Sequence, residues 1–214
     1  MDVATKVISD SNRERVLLAM TELVGEVGYA EVEVEQIVER AGVTEEEFAS
    51  MFADKEECGI AVQNAILADV VAAVSTSYSP DRSEMDSVVS GVQAILELMA
   101  RKPSFAHFGY IGARQMSPHR VFAVYDAGHK IMEAMLERGW EYSDLNEQPR
   151  TAGLGALGAA EAIVRREIAG GRAGELPRLL PDLVYAATVP FLGQEEALRL
   201  AQRGRELLRG TEWA

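Results

Sequence analysis

Few side chains in this 214-residue sequence are of the kinds that make and break covalent bonds. There are three histidines, His107, His119 and His129, and one cysteine, Cys58. A single thiol forms no internal disulfide and lacks the paired spacing of a zinc site. Glu56-Glu57 and Glu195-Glu196 are sequence neighbours, and adjacent residues on a helix do not share a face, so they make poor acid/base pairs. No phosphate-binding glycine loop, Gly-x-Ser-x-Gly elbow or His-Glu-x-x-His pair occurs. The expectation is a protein that is not an enzyme, with no cofactor and no metal. What remains is recognition. Phe105, His107, Phe108, Tyr110, Met116, Tyr125 and Met132 fall in one aromatic and sulfur-rich stretch. Methionines suit a pocket that adapts to the shape of an apolar molecule, and plain core is the other reading of such a stripe. His107 is either a donor to a ligand's carbonyl or carboxylate or a structural histidine.

The elements that position these groups read as helices, because apolar residues recur at helical spacing and no convincing alternating β-branched run occurs. The first helix begins near Asp10, with Ser11 and Glu14 at capping-box spacing and Val16, Met20, Leu23, Val24 and Val27 as its buried stripe. Gly28 stops it. A second helix fits Glu33 to Ala41, with Val34, Ile37, Val38 and Ala41 on one face, and Gly42-Val43 breaks the chain. Thr44 and Glu47 form another capping box, opening a short helix to about Phe52 with Phe48, Met51 and Phe52 inward. Asp54 to Glu57 caps a fourth helix that runs to about Ser77, with Ile60, Ile66, Val70 and Val74 on its apolar face. Ser79-Pro80-Asp81 is a turn. Further helices fit Met85 to Arg101 (through Val88, Val92, Ile95 and Met99), a short piece from Pro103, and Ser117 to about Arg138. Thr151 to Ile168 and Leu179 to about Leu208 complete the set, the last broken near Pro190 and Gly193. The expected fold class is all-α.

A formal net charge of −13 favours solubility and works against non-specific binding to DNA or anionic membranes. No stretch approaches the roughly 18 apolar residues of a membrane span, and the first residues lack the basic start and apolar run of a signal peptide. Cytoplasmic residence without a membrane partner is the expectation.

Two short helices separated by Ala41-Gly42-Val43-Thr44 have the shape of a helix-turn-helix, whose second helix enters the major groove. The ordered set Gly28-Tyr29, Val34, Ile37, Ala41-Gly42-Val43-Thr44, Phe48, Phe52 and Asp54-Lys55-Glu56 resembles the amino-terminal signature of the TetR (tetracycline repressor) family. The spacing between elements fits without insertions. Leu183-Val184-Tyr185 followed by Pro190-Phe191-Leu192-Gly193 is similar to that family's closing helices. The resemblance implies a three-helix DNA-reading head over residues 1–53 and a larger ligand-binding and dimerisation domain over 54–214. It also implies a homodimeric repressor, a palindromic double-stranded DNA operator and a small-molecule effector that shifts the spacing of the two heads. Carried onto this sequence, it puts Thr44 and Lys55 on the phosphate backbone and Glu45, Glu46 or Ser50 toward the bases. Arg13 and Arg15, with Lys6, supply positive charge.

The recognition helix departs from the family. Glu46 and Glu47 stand where relatives usually carry glycine and threonine, and Ala49 and Met51 where they usually carry tyrosine and often histidine. Through Lys55 the head holds thirteen acidic and five basic residues, a formal charge of −8. DNA affinity is built largely from lysine and arginine displacing counterions, so two readings stand. In one, the head reads DNA and a glutamate accepts from cytosine N4. In the other, the chain is a dimeric ligand sensor or interaction module with weakened or lost DNA binding. Gly153, Gly155, Ala156, Gly158, Ala159, Ala160 and Ala162 crowd one helix, which the resemblance implies is part of a four-helix dimer bundle. Close packing within one subunit is the alternative.

Overall fold

A computed structural model describes residues 3–79, 81, 83–117, 130 and 151–214, with the side chains of 3–10 and 84 excepted. Among them there is no strand. The helices are α1 (Val3–Val27), α2 (Val34–Ala41), α3 (Glu45–Met51), α4 (Lys55–Ser77), α5 (Glu84–Arg101), α6 (Pro103–Tyr110), α7 (Ala152–Ala169) and α8 (Leu180–Leu208). Short 3-10 turns form at Tyr29–Glu31, Gly112–Gln115 and Ala173–Leu179. The helix expected over Ser117 to Arg138 lies outside the described residues, apart from Ser117 and Lys130. The chain divides into two compact units, one of Met1–Leu67 with Ser104–Val124, the other of Ala68–Pro103 with Tyr125–Ala214.

In the first unit, α1 packs along α2 and buries Val16, Met20, Leu23 and Val24, as the spacing predicts. Fully burying each such side chain is worth roughly 1.5–3 kcal/mol. Two expectations for α1 are corrected. Its helix runs unbroken through Ser11 and Glu14, so that pair caps nothing, and Val27, at the frayed end before Gly28, is 48% exposed. On α4 the deeply buried positions are Cys58, Gly59, Val62 and Gln63, while Ile60, Ile66, Val70 and Val74 are only half-buried. The burial is set by the turns that pack on α4's first half. Gly59 lies so close to Met116 and Tyr29 that a Cβ there would stand 2.8 Å from Met116 Cε. A Cβ on Gly112 would overlap Val24. Segment 104–117 thus folds back onto the helices that precede it by more than forty residues.

α4 holds no unbroken apolar run, since Gln63, Asn64 and Asp69 interrupt it. It is 23 residues long, and an 18-residue window reaches a mean hydropathy of 1.6, enough to cross a membrane by length and composition.

In the second unit, α5 packs on α8 and on the 3-10 turn before it, and α7 packs on α8. Met85, Val89, Leu96 and Met99 are the buried apolar side chains of α5, with Val88, Val92 and Ile95 half-buried beside them. Phe191 meets Ala156 across the α7–α8 seam. Gly204 lets α8 approach Leu180 and Pro181, with a hypothetical Cβ 3.3 Å from Leu180 Cγ. The expected break in the last helix is present: Gly193 takes φ 74°, ψ 174° inside α8. That left-handed φ is open to glycine at little cost. At the chain end, Trp213 donates its indole N–H to the Gly174 carbonyl at 3.1 Å, and Arg101 lies over its ring.

Candidate functional site

The helix-turn-helix is built by two caps. Gly42 ends α2 in the left-handed conformation, φ 63°, ψ 42°, and the Val43 N–H reaches back to the Val38 carbonyl at 3.1 Å. This is the helix stop that glycine favours. Thr44 then opens α3 as expected. The Glu47 N–H donates to Thr44 Oγ1 at 3.1 Å, and the Thr44 N–H donates to Glu47 Oε2 at 2.8 Å. Removing such a cap costs about 1 kcal/mol. Phe48 and Phe52 are buried, their ring centroids 5.5 Å apart, which turns Glu45, Glu46, Ala49 and Ser50 outward and exposed.

Each residue expected to meet DNA has a definite place. Glu45 and Glu46 are exposed without a hydrogen-bond partner among the described residues. Ser50 donates its hydroxyl to the Glu47 carbonyl at 2.6 Å, leaving its oxygen able to accept. Arg15 donates to the Gly42 carbonyl at 3.3 Å and to Asn12 Oδ1 at 2.9 Å. Asn12 in turn donates to Glu47 Oε1 at 3.1 Å. Arg13 stacks over Phe52, 4.6 Å from the ring centroid. These α1 side chains brace the turn and α3, and Asn12 is a bracing residue that sequence reasoning missed. Lys6 lies outside the described side chains.

Lys55 faces inward. Its ammonium donates to the carbonyls of Val32 at 2.6 Å, Tyr29 at 3.1 Å and Ala30 at 3.4 Å, and sits 4.9 Å from the Tyr29 ring centroid. Three donors meet three carbonyls, so the geometry gives Lys55 a structural partner set in place of the expected phosphate. Arg40 is committed likewise, holding Glu26 through two bonds of 2.9 Å and Glu22 at 3.4 Å. Those bonds hold the Glu26 carboxyl below its ordinary range.

Of the residues expected to line a ligand pocket, Phe108 and Met116 are fully buried in the first unit. Phe105, His107 and Tyr110 are half-buried on α6. Tyr125 and Met132 lie outside the described residues. Two polar atoms here are buried without a hydrogen-bond partner, His107 Nδ1 and Gln63 Oε1. Burial holds the His107 imidazole below its ordinary value of 6.5. Gln63 was legible in principle: at the spacing Gly59, Val62, Gln63, Ile66 it occupies the buried side of α4. Cys58, five residues earlier on α4, is fully buried, and desolvation pushes its thiol up to about 12.

No family model and no curated protein matches the sequence. Solved structures do. The fatty acid degradation regulator FadR from Bacillus halodurans superposes with a TM-score of 0.73 at 16% identity, over 86% of this chain and 96% of that one. FadR from Bacillus subtilis, solved in complex with stearoyl-CoA, gives 0.68 at 16% identity, over 84% and 98%. TylP, a TetR regulator from Streptomyces fradiae, gives 0.67 at 14% identity, over 96% and 97%. The chain has the TetR-type regulator fold.

Proposed function

We propose that the chain is a ligand-responsive DNA-binding transcription regulator that acts as a homodimer on a palindromic operator, as a repressor, in the cytoplasm. Residues 1–53 are its reading head and residues 54–214 its ligand and dimer domain. The observation that carries this reading is α3: a doubly capped short helix whose buried phenylalanines turn Glu45, Glu46, Ala49 and Ser50 outward. Such a helix is the part that reads base edges in a major groove. Glutamates there fit cytosine N4 donors. Arg13 and Arg15 form no ion pair among the described residues and lie on α1 beside the turn and α3, and they supply the phosphate contacts.

The homodimer is supported by the outer face of α7. Leu154, Gly155, Gly158, Ala159 and Ala162 form one exposed stripe, and none of the described residues lies within 4 Å of a Cβ placed on Gly155 or Gly158. Leu154 is 53% and Leu198 of α8 47% exposed. A face of small residues with two uncovered leucines fits a second copy of the same helices. Ligand response is supported by the unpartnered buried polar atoms of α4 and α6, and the stearoyl-CoA complex of Bacillus subtilis FadR gives a precedent on this fold.

A second reading, a dimeric ligand sensor with weakened DNA binding, is favoured by one observation. Arg40 and Lys55 are held by partners within the head, while Glu45 and Glu46 are free. Fluorescence anisotropy against fragments tiled over the gene's own upstream region separates the two. The expected result is sequence-preferring binding that survives random competitor. Four arginines per dimer set its log–log salt slope near about −4, at about −0.9 per phosphate. No preference on any fragment at low salt overturns operator binding and leaves the sensor.

A further inference from the structure

We propose that Asn12 is a positioning residue for DNA reading: it couples Arg15, a phosphate-contacting arginine of α1, to Glu47 and so to the pose of α3 in the groove. The proposal rests on the operator-binding reading above and names a residue outside the helix-turn-helix that makes this binding selective.

The two oxygens of Glu47 hold different elements. Oε2 accepts the Thr44 N–H at 2.8 Å, closing the cap that opens α3. Oε1 accepts from Asn12 Nδ2 at 3.1 Å, which ties that cap to α1. Glu45 and Glu46 have no such bond among the described residues and stay exposed. The third carboxylate of the run is therefore turned to the protein and the other two to solvent. The far end of the Asn12 amide meets the opposite charge, its Oδ1 accepting from Arg15 Nη2 at 2.9 Å. A carboxylate needs a donor and a guanidinium an acceptor, and a primary amide supplies both at once. The same requirement fixes which way the amide points.

Arg15 is the link to DNA. Its Nη2 also donates to the Gly42 carbonyl at 3.3 Å, at the residue that turns α2 into α3. Its Nε and Nη1 donate to none of the described residues and are left for a phosphate oxygen. A phosphate held there fixes the guanidinium, the guanidinium fixes the Asn12 amide, and the amide fixes the carboxylate that caps α3. Backbone contact and the pose of the reading helix are thereby set together. In the free chain these exposed bonds compete with water and add little to stability. Against DNA, where water is displaced, they strengthen. A head with thirteen acidic and five basic residues gains little from the phosphates as a whole, so its selectivity depends on how α3 is posed.

The test uses the full chain and fluorescence anisotropy on two duplexes of equal length, the upstream fragment that the wild type prefers and random sequence. The readout is the ratio of the two affinities, in which a change of net charge largely cancels. Asn12→Ala, which keeps a helix-favouring residue in α1, is expected to lower the ratio about tenfold, an ordinary coupling within one bonded network. Its Tm, followed by circular dichroism, is expected to stay within about 2 °C of wild type. Asn12→Asp sets a carboxylate against Glu47. Glu47→Gln, with its oxygen kept by the Thr44 N–H, sets an amide N–H against that of Asn12. Each alone is expected to lower the ratio. Together they restore the pattern with donor and acceptor exchanged and net charge unchanged, and the double variant is expected to recover the wild-type ratio. An unchanged ratio in Asn12→Ala overturns the proposal and leaves operator binding standing, as does a double variant no better than its single parents. A Tm lowered by more than about 5 °C in Asn12→Ala also overturns it, because the residue is then structural. A wild type that prefers no fragment overturns the operator reading and the proposal with it.

Discussion

The glycines of the first unit and those of α7 do opposite work. Gly59 and Gly112 are buried, and their missing side chains are replaced by Met116 and Val24 pressing against the backbone. Gly155 and Gly158 are exposed, and none of the described residues occupies the space above them. In a helix each glycine is about 1 kcal/mol less favourable than alanine. At Gly112 and Gly59 the compensation lies inside the subunit, as close packing. At Gly155 and Gly158 no such compensation lies among the described residues, which is what the proposed homodimer would supply. The same residue type thus marks a finished seam in one region and an unfinished one in the other.

The largest expected effect tests the finished seam. Gly112→Val should destabilise the chain by about 3 kcal/mol, the upper range for overpacking against a β-branched neighbour that cannot swing away. Urea unfolding measures it, and a loss under 1 kcal/mol would mean that the turn at Gly112–Gln115 is free to lift off α1. Gly59→Ala should cost less, since the atom in its way is the flexible end of Met116.

Next is Lys55→Met, which strips donors from three carbonyls of the Tyr29–Val32 segment. An expected loss of about 2 kcal/mol follows from leaving part-buried acceptors unmet. The salt slope of any DNA binding should stay the same. If stability holds while the slope falls by about 2, one phosphate per subunit of the dimer, the ammonium serves phosphate instead.

The unfinished seam comes third. Gly158→Leu should leave helicity and monomer stability intact but weaken self-association at least tenfold, read by sedimentation velocity. Gly158→Ala sharpens the contrast: a gain of about 1 kcal/mol in stability without change in association would mean water, not a second copy, covers α7.

The smallest effect is on pH. His107 has a folded pKa below its ordinary 6.5, so the unfolded chain binds more protons in the window between the two values. Stability should fall as pH drops below about 6.5 and reach its floor below the folded value. His107→Phe should flatten that slope, and an unchanged profile would place the imidazole in water.

Helix type and order were legible because hydrophobic period and capping chemistry agree, as at Thr44 and Glu47 or Gly42. The turn and the break at Gly193 were legible for the same local reason. What sequence pattern missed depends on distant partners. Lys55 follows α3 directly and looks free, yet it finds carbonyls more than twenty residues back. The buried side of α4 is rotated from the residues that hydrophobicity alone selects, because Met116 and Gly109 pack on it from a segment about fifty residues away. Arg15 reads as free positive charge on α1 and Asn12 carries no signal of its own, and only the folded turn reveals what they hold. A polar residue on a buried face, Gln63, carries a sequence signal, but whether it is satisfied is a property of the packed structure alone.

The return of residues 104–117 to the first unit has a consequence for how this chain leaves the ribosome. The helix-turn-helix is finished early in synthesis, yet the groups that close over Val24 and Gly59 arrive more than fifty residues later. Until then the nascent head exposes the apolar floor that Phe108, Gly112 and Met116 will cover. A fragment ending at residue 53 would carry that floor into solution permanently, and should be sticky and poorly ordered. Extending it to residue 67 does not help. The first unit of this protein is complete only once the chain has passed through α5 and Ser104–Val124 has joined it.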